Sequence, residues 1–287
     1  MAGKGIIVLT AKRAGFCFGV KRAVGMAFAA AEANRNVYTL GPIIHNPQVI
    51  ARLKEQGVRP ITSIHNRNIR TLLIRTHGIT RDISDQLANK RYLVIDATCP
   101  FVKKAQYYAK LLKDRGYQVV IIGDAGHPEV QGLMSYAGDS PLVIGKEQVL
   151  QGSAAWSSLR PKVGVVVQTT QPIAVLKRFV HDAVDLVKEL KIFNTICNST
   201  ALRLKETQAM AKKVDVMIVA GGRNSANTTQ LADFCHSMQV PTYHIETAEE
   251  IRPSWFSGAM RVGITAGAST PDWIIAGAEQ RVREIAR

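Results

Sequence analysis

The stretch from Arg91 to Ala105, RYLVIDATCPFVKKA, decides how the rest of the chain is read. A compact apolar run from Leu93 to Ile95 ends at Asp96, and Cys99 then stands directly before Pro100. The run has the length of a strand, and proline opens a helix without needing an N–H donor. The order is therefore strand, cysteine loop, helix. It recurs twice. Cys17 follows IIVLTAKRAGF and leads into GVKRAVGMAFAAAEA, and Cys197 follows KIFNTI and leads into NSTALRLKETQAMAKKV. Cys235, in LADFCHSMQ, lies off the pattern and reads as core.

The register continues beyond the helices. Short strands NVYTLG, QVVIIG and VDVMIVAGG each stop in a polar loop, and His45, His127 and Ser225 each lie 28 residues after their cysteine. A third strand closes each unit in LLIRTHGIT, VGVVVQTTQP or RVGITAGASTP, whose tips carry His77, Thr169 with Thr170, and Ser269. Each unit reads as strand, cysteine loop, helix, strand, polar loop, helix, strand, polar loop. Such alternation gives parallel α/β units whose ligand groups gather at the C-terminal ends of strands. The expected fold is α/β: three pseudo-repeated modules with mainly parallel sheets, arranged around a common centre. The modules are expected at residues 1–98, 99–195 and 196–287.

Bulk properties narrow the class. The 287 residues suffice for a large core, and 37 Lys and Arg against 22 Asp and Glu give a net charge of +15. The bases are scattered singly and in pairs, with no arginine-rich arm, RNA-binding aromatic signature or zinc-finger spacing. A solvated basic surface that attracts small anions is favoured over stable nucleic-acid binding. No apolar run is long enough to span a membrane, and the short apolar start running into Lys12 and Arg13 is not a secretory signal, so a cytoplasmic protein is expected.

Widely separated cysteines without a CxxC pair argue against a disulfide framework or a zinc ribbon. Three thiols, one per module, suit soft metals. A structural zinc site would want a fourth ligand, whereas a cubane cluster with one iron lacking a protein ligand fits three, and that iron would act as a Lewis acid. Around them stand His45, His77, His127, Thr169, Thr170, Ser225, Asn227 and Ser269, short donors on glycine-flanked loops that suit the oxygens of a phosphate or diphosphate. No Walker A sequence or GxGxxG follows a strand, which disfavours a nucleotide. Glu129, just beyond His127 and Pro128, is the one acid among the donors and a candidate proton source.

At these residues the sequence resembles the 4-hydroxy-3-methylbut-2-enyl diphosphate reductase (LytB/IspH) family. The boxes AGFCFGVKRAV, GPIIHNPQV, RTHGI, DATCPFVKKA, GHPEVQG, QTT, NTICNST, NSANT and GITAGASTP run in the family's order from about residue 13 to 275. The resemblance implies one 4Fe–4S cluster on Cys17, Cys99 and Cys197, its open iron meeting the substrate hydroxyl. It implies that His45, His77, His127, a threonine of the QTT box, Ser225, Ala226, Asn227 and Ser269 hold the substrate, and that Glu129, His127 and Thr170 are catalytic. Thr170 is chosen because it is nearer the loop tip. The implied reaction removes the hydroxyl with two electrons to give isopentenyl and dimethylallyl diphosphates, the last step of the non-mevalonate isoprenoid pathway, with ferredoxin or flavodoxin as electron donor. Ser199 and Leu204 depart from the family pattern near the third cysteine. The competing readings are a redox-neutral 4Fe–4S hydro-lyase acting on a phosphorylated substrate, a nucleic-acid-binding protein with a structural cluster, and a zinc module.

Overall fold

The structure, a computed structural model, describes residues 5–33, 36–64, 68–151 and 154–286. Strands and helices alternate from the start. The order is β1 (Ile7–Thr10), α1 (Phe18–Ala33), β2 (Val37–Leu40), α2 (Pro47–Glu55), β3 (Val58–Ile61), β4 (Thr71–Ile74), α3 (Arg81–Ala88) and β5 (Leu93–Asp96). It continues with α4 (Pro100–Asp114), β6 (Gln118–Ile122), α5 (Pro128–Tyr136), β7 (Leu142–Ile144), α6 (Lys146–Gln151), β8 (Lys162–Val167), α7 (Ile173–Ala183) and β9 (Glu189–Ile192). The last part is α8 (Asn198–Ala211), β10 (Val216–Ala220), α9 (Ala226–Ser237), β11 (Thr242–Ile245), β12 (Arg261–Ala266) and α10 (Asp272–Ile285).

Among the described residues the strands form three four-stranded sheets in which all neighbouring strands run parallel. Read in one sense, their orders are β3-β2-β4-β5, β7-β6-β8-β9 and β11-β10-β12-β1. All three share one plan: a short edge strand, the strand before the first polar loop, the strand before the second, and outermost the strand leading to a cysteine. These are the three parallel α/β modules expected from the sequence. Two features are new. The edge strands β3, β7 and β11 have no counterpart in the pattern read from sequence, because they are brief: β7 has three residues, and β3 contains Pro60. And β1, near the start of the chain, completes the sheet built by residues 216–266, pairing Ile7 with Arg261 and Thr10 with Ile264.

By internal contacts the described residues fall into two compact units. One comprises Met1–Gly25, Ile44–Gly57 and Asn198–Arg287 and holds the sheet of β1; the other comprises Met26–Ile43 and Val58–Cys197 and holds the other two sheets. The central strands TLLI, QVVII, KVGVVV and VMIVA are buried along nearly their whole length, as expected for parallel strands covered on both faces. The edge strands that lead to the cysteines, β1, β5 and β9, are half-exposed. Pro47, Pro100 and Pro128 stand at the first turn of α2, α4 and α5 and fix where these helices begin.

In the second sheet α4 lies very close to β8. A Cβ placed on Gly164 would sit 2.5 Å from Leu112 Cδ2 and 2.9 Å from Leu112 Cγ, and Leu112 is fully buried. Gly164→Ala is therefore expected to lower the urea midpoint, with a cost of about 1–3 kcal/mol from overpacking and no change in m-value.

Candidate active site

Each cysteine is fixed by the same backbone bond. The Cys99 N–H donates to Thr76 O at 3.0 Å, the Cys197 N–H to Thr169 O at 2.8 Å, and the Cys17 N–H to Ala268 O at 3.2 Å. Each acceptor lies two residues past the end of the neighbouring strand: Ile74, Val167 and Ala266. The three thiols thus occupy equivalent places at the C-terminal ends of three sheets, each one residue ahead of a helix. All three are half-buried, whereas Cys235 on α9 is fully buried and burial pushes its thiol up to about 11. Among the described residues no three His, Cys, Asp or Glu side chains are gathered closely enough to count as a metal-holding group. The donor set itself fits an iron–sulfur group: three soft thiols, each one residue ahead of a helix.

In the unit containing the third sheet, Ala268 links two expected site residues. Its carbonyl accepts from Cys17, and its N–H donates to Asn227 Oδ1 at 3.0 Å, so the Asn227 amide is oriented with its NH2 as the remaining donor. The hydroxyl of Ser269 lies 3.4 Å from both Ser225 Oγ and the His45 carbonyl. Ser225 caps α9, its hydroxyl facing the Thr228 N–H. Ala226 opens α9; its side chain lies outside the described residues. This unit therefore brings Cys17, His45, Ser225, Asn227 and Ser269 to one sheet end. Close loop approach makes that possible: a Cβ on Gly267 would fall on the buried Thr228 hydroxyl, and one on Gly221, at φ +140°, would meet the hydroxyls of Thr228 and Thr270.

In the other unit the acid is held by a threonine. Glu129 is 1% exposed, and its two oxygens accept from the Thr169 N–H at 2.7 Å and the Thr169 hydroxyl at 2.8 Å. Burial pushes the Glu129 carboxyl above the usual glutamate range, and the two bonds from Thr169 oppose that rise without cancelling it. The Glu129 N–H donates to His127 Nδ1 at 3.1 Å, which assigns the hydrogen of the neutral ring to Nε2. His77 meets His127 edge to face, with centroids 5.3 Å apart. The Thr170 hydroxyl accepts from Gln168 Nε2 at 3.2 Å. Cys99, Cys197, His77, His127, Glu129, Thr169 and Thr170 thus belong to one unit, with Thr169 joined to both Glu129 and Cys197.

The family model described as "LytB protein" matches residues 8–283. The chain belongs to the LytB family. It is 50% identical over 278 residues to a 4-hydroxy-3-methylbut-2-enyl diphosphate reductase of Geobacter metallireducens, covering 97% of each chain. It is 49% identical to the protein of the same name in Pelobacter propionicus, covering 97% of this chain and 98% of that one. A solved (E)-4-hydroxy-3-methyl-but-2-enyl diphosphate reductase, described as the terminal enzyme of the non-mevalonate pathway, superposes with a TM-score of 0.75 at 44% identity over 97% of this chain and all of that one. A Plasmodium falciparum reductase structure, 24% identical with a TM-score of 0.85 over 96% of this chain and 87% of that one, shares the fold.

Several supports of this LytB-family site are not singled out by motif. Asn46 is buried; its Oδ1 caps α2 by accepting from the Val49 N–H at 3.0 Å, and its Nδ2 donates to Ser269 O at 3.0 Å. The local signal, asparagine directly before a helix-opening proline, reports the cap but not the long-range bond. Arg203 on α8 donates to the carbonyls of Arg13 at 2.9 Å and Gly15 at 2.6 Å, bracing the loop ahead of Cys17. Arg223 is held by Glu246 and Glu250 just before Ser225. Asn46→Ala should cost about 1–3 kcal/mol, since it removes a cap and leaves buried groups unpaired, read as a lower midpoint in chemical denaturation. Asn46→Asp, which keeps the cap but loses the bond to Ser269 O, should recover only part of it.

Proposed function

We propose that the chain catalyses the reductive removal of the hydroxyl of 4-hydroxy-3-methylbut-2-enyl diphosphate, giving isopentenyl and dimethylallyl diphosphates, with one 4Fe–4S cluster held by Cys17, Cys99 and Cys197. The observation that carries this reading is the threefold repetition of the cysteine N–H bond, which gives three thiols one environment in a chain of the LytB family. When bound, the cluster supplies electrons and a Lewis-acidic iron for the departing oxygen. The division at residues 1–98, 99–195 and 196–287 belongs to the same proposal, except that β1 pairs into the sheet of the last part; a ferredoxin or flavodoxin donor and a cytoplasmic setting belong to it too. No helix among the described residues is long and apolar enough to cross a membrane.

The chain's own part is binding and proton delivery. His45, Ser225, Asn227 and Ser269 on one unit, and His77, His127 and Thr170 on the other, offer mostly neutral donors that suit diphosphate oxygens without the tight grip of a lysine cluster. The backbone N–H groups at the start of α9, including that of Ala226, add to the anion site. Glu129 is the acid. When it is protonated, the bond at 2.8 Å reverses: Glu129 donates to the Thr169 hydroxyl, whose own hydrogen is then available to the substrate oxygen. Protonated Glu129 is the form that burial favours, so the group arrives charged with a proton nearer neutral pH than an exposed glutamate would.

Anaerobic purification with iron and sulfide counting, followed by turnover of the diphosphate with a chemical reductant, tests the reading; a colourless, iron-free protein or full activity in Cys99→Ser would sink it. Glu129→Gln keeps the shape but not the proton, and kcat should fall by about 10²-fold or more. The pH dependence has a defined sign. The folded carboxyl titrates above its unfolded value, so its favourable contribution is present below the unfolded value and is lost as pH rises through the raised folded one. Wild type should therefore lose stability relative to Glu129→Gln across that window, and kcat should fall over the same window in wild type.

A further inference from the structure

A row of rings capped by lysines packs on the α4 side of the second sheet. Tyr108 stacks on Phe193 with centroids 4.0 Å apart and planes 5° from parallel, and Tyr107, 61% exposed, leans on Tyr108 at 5.6 Å. Lys104 Nζ lies 5.7 Å from the Tyr108 centroid, and Lys191 Nζ lies 5.8 Å from that of Phe193. Phe101, 43% exposed, lies two turns before Tyr108 on the same face of α4. The acids nearby already have cations: Asp96 pairs with Lys103, Asp114 with Lys110, and Glu189 with Lys162. Among the described residues neither Lys104 nor Lys191 has a carboxylate within salt-bridge distance; both sit over rings, and Lys191 reaches Glu189 only at longer range. Both segments run to cysteines: Cys99 caps α4, and Phe193 is four residues before Cys197.

We propose that this face is the docking surface for an acidic single-electron carrier protein. The proposal rests on the reductase reading above. Its balance is R–OH + 2 e⁻ + 2 H⁺ → R–H + H₂O, so two carrier molecules are each oxidised by one electron per turnover. A small apolar centre ringed by cations suits such a partner, since electron-transfer encounters are small, brief and steered by charge. The exposed rings supply contact area, while the lysines supply attraction that acts before contact. A nucleic acid fits less well: it needs open ring faces for its bases, and Tyr108 and Phe193 spend their facing surfaces on each other.

The test uses the cluster-loaded full chain with two reductants, an acidic 2Fe–2S ferredoxin and reduced methyl viologen. In the double variant Lys104→Glu with Lys191→Glu, KM for the ferredoxin should rise about tenfold or more and lose its salt dependence, with viologen-driven turnover unchanged. The double variant Lys104→Arg with Lys191→Arg should keep the wild-type KM. Calorimetric titration of the ferredoxin into each protein should follow the same order, and it reads docking even without turnover. Wild type that binds ferredoxin in a lysine-dependent way but never turns over would fault the reductase reading alone. An unchanged ferredoxin KM and affinity in the Glu variant would overturn the docking surface, as would an equal fall in both assays. So would lysine-dependent binding of a single-stranded oligonucleotide with no such dependence for ferredoxin.

Discussion

The interaction on which the site depends is a backbone hydrogen bond from each cysteine to the loop after the neighbouring strand. A thiol loop with no such bond would be free to turn its sulfur toward solvent or core. The acceptors Thr76, Thr169 and Ala268 tie each loop instead to the end of a central strand, the part of a parallel sheet that moves least. They also couple thiol position to the polar groups beside them. Thr169 holds Cys197 with its carbonyl and Glu129 with its N–H and hydroxyl, so the acid and the thiol share one anchor residue. Ala268 does the same for Cys17 and Asn227.

Repetition explains why one plan serves three sheets. Gly41, Gly123 and Gly221 each lie 24 residues after a cysteine, and each donates its N–H to the last residue of an edge strand: Ile61, Ile144 and Ile245. The edge strands thus have a purpose that their length conceals. They hold the turn that starts each first polar loop, and so set where His45, His127 and Ser225 begin. On that common frame the modules diverge in chemistry. Among the described residues only the second carries a buried acid at this loop, and there burial raises the carboxyl above the usual glutamate range.

Legibility in the sequence followed range. The cysteine register, the helix-opening prolines and the apolar central strands are local patterns, and they carried the fold class and the residues of the site. The edge strands were not legible because three or four residues containing Pro60, or bounded by Ser140 and Pro141, make no periodic signal. Nor was the pairing of Glu129 with Thr169, 40 residues apart, since QTT offers two equivalent hydroxyls and only the turn geometry chooses between them. Arg203 and Asn46 were missed for the same reason: each reaches a backbone carbonyl roughly 200 residues away, and such acceptors leave no trace in residue type.

The pairing of β1 with β12 has a consequence for how the chain comes off the ribosome. A strand at residues 7–10 has no partner until residues 261–266 have emerged, so a segment made before both other sheets is placed after them. Two sheets of the other unit close from nearer neighbours in the chain, and their cysteines are set early. Cys17 must wait for its anchor until Ala268 has been made. Three anchored thiols therefore exist together only once residues 261–268 have been made, and a product that stops short of them presents two anchored thiols rather than three.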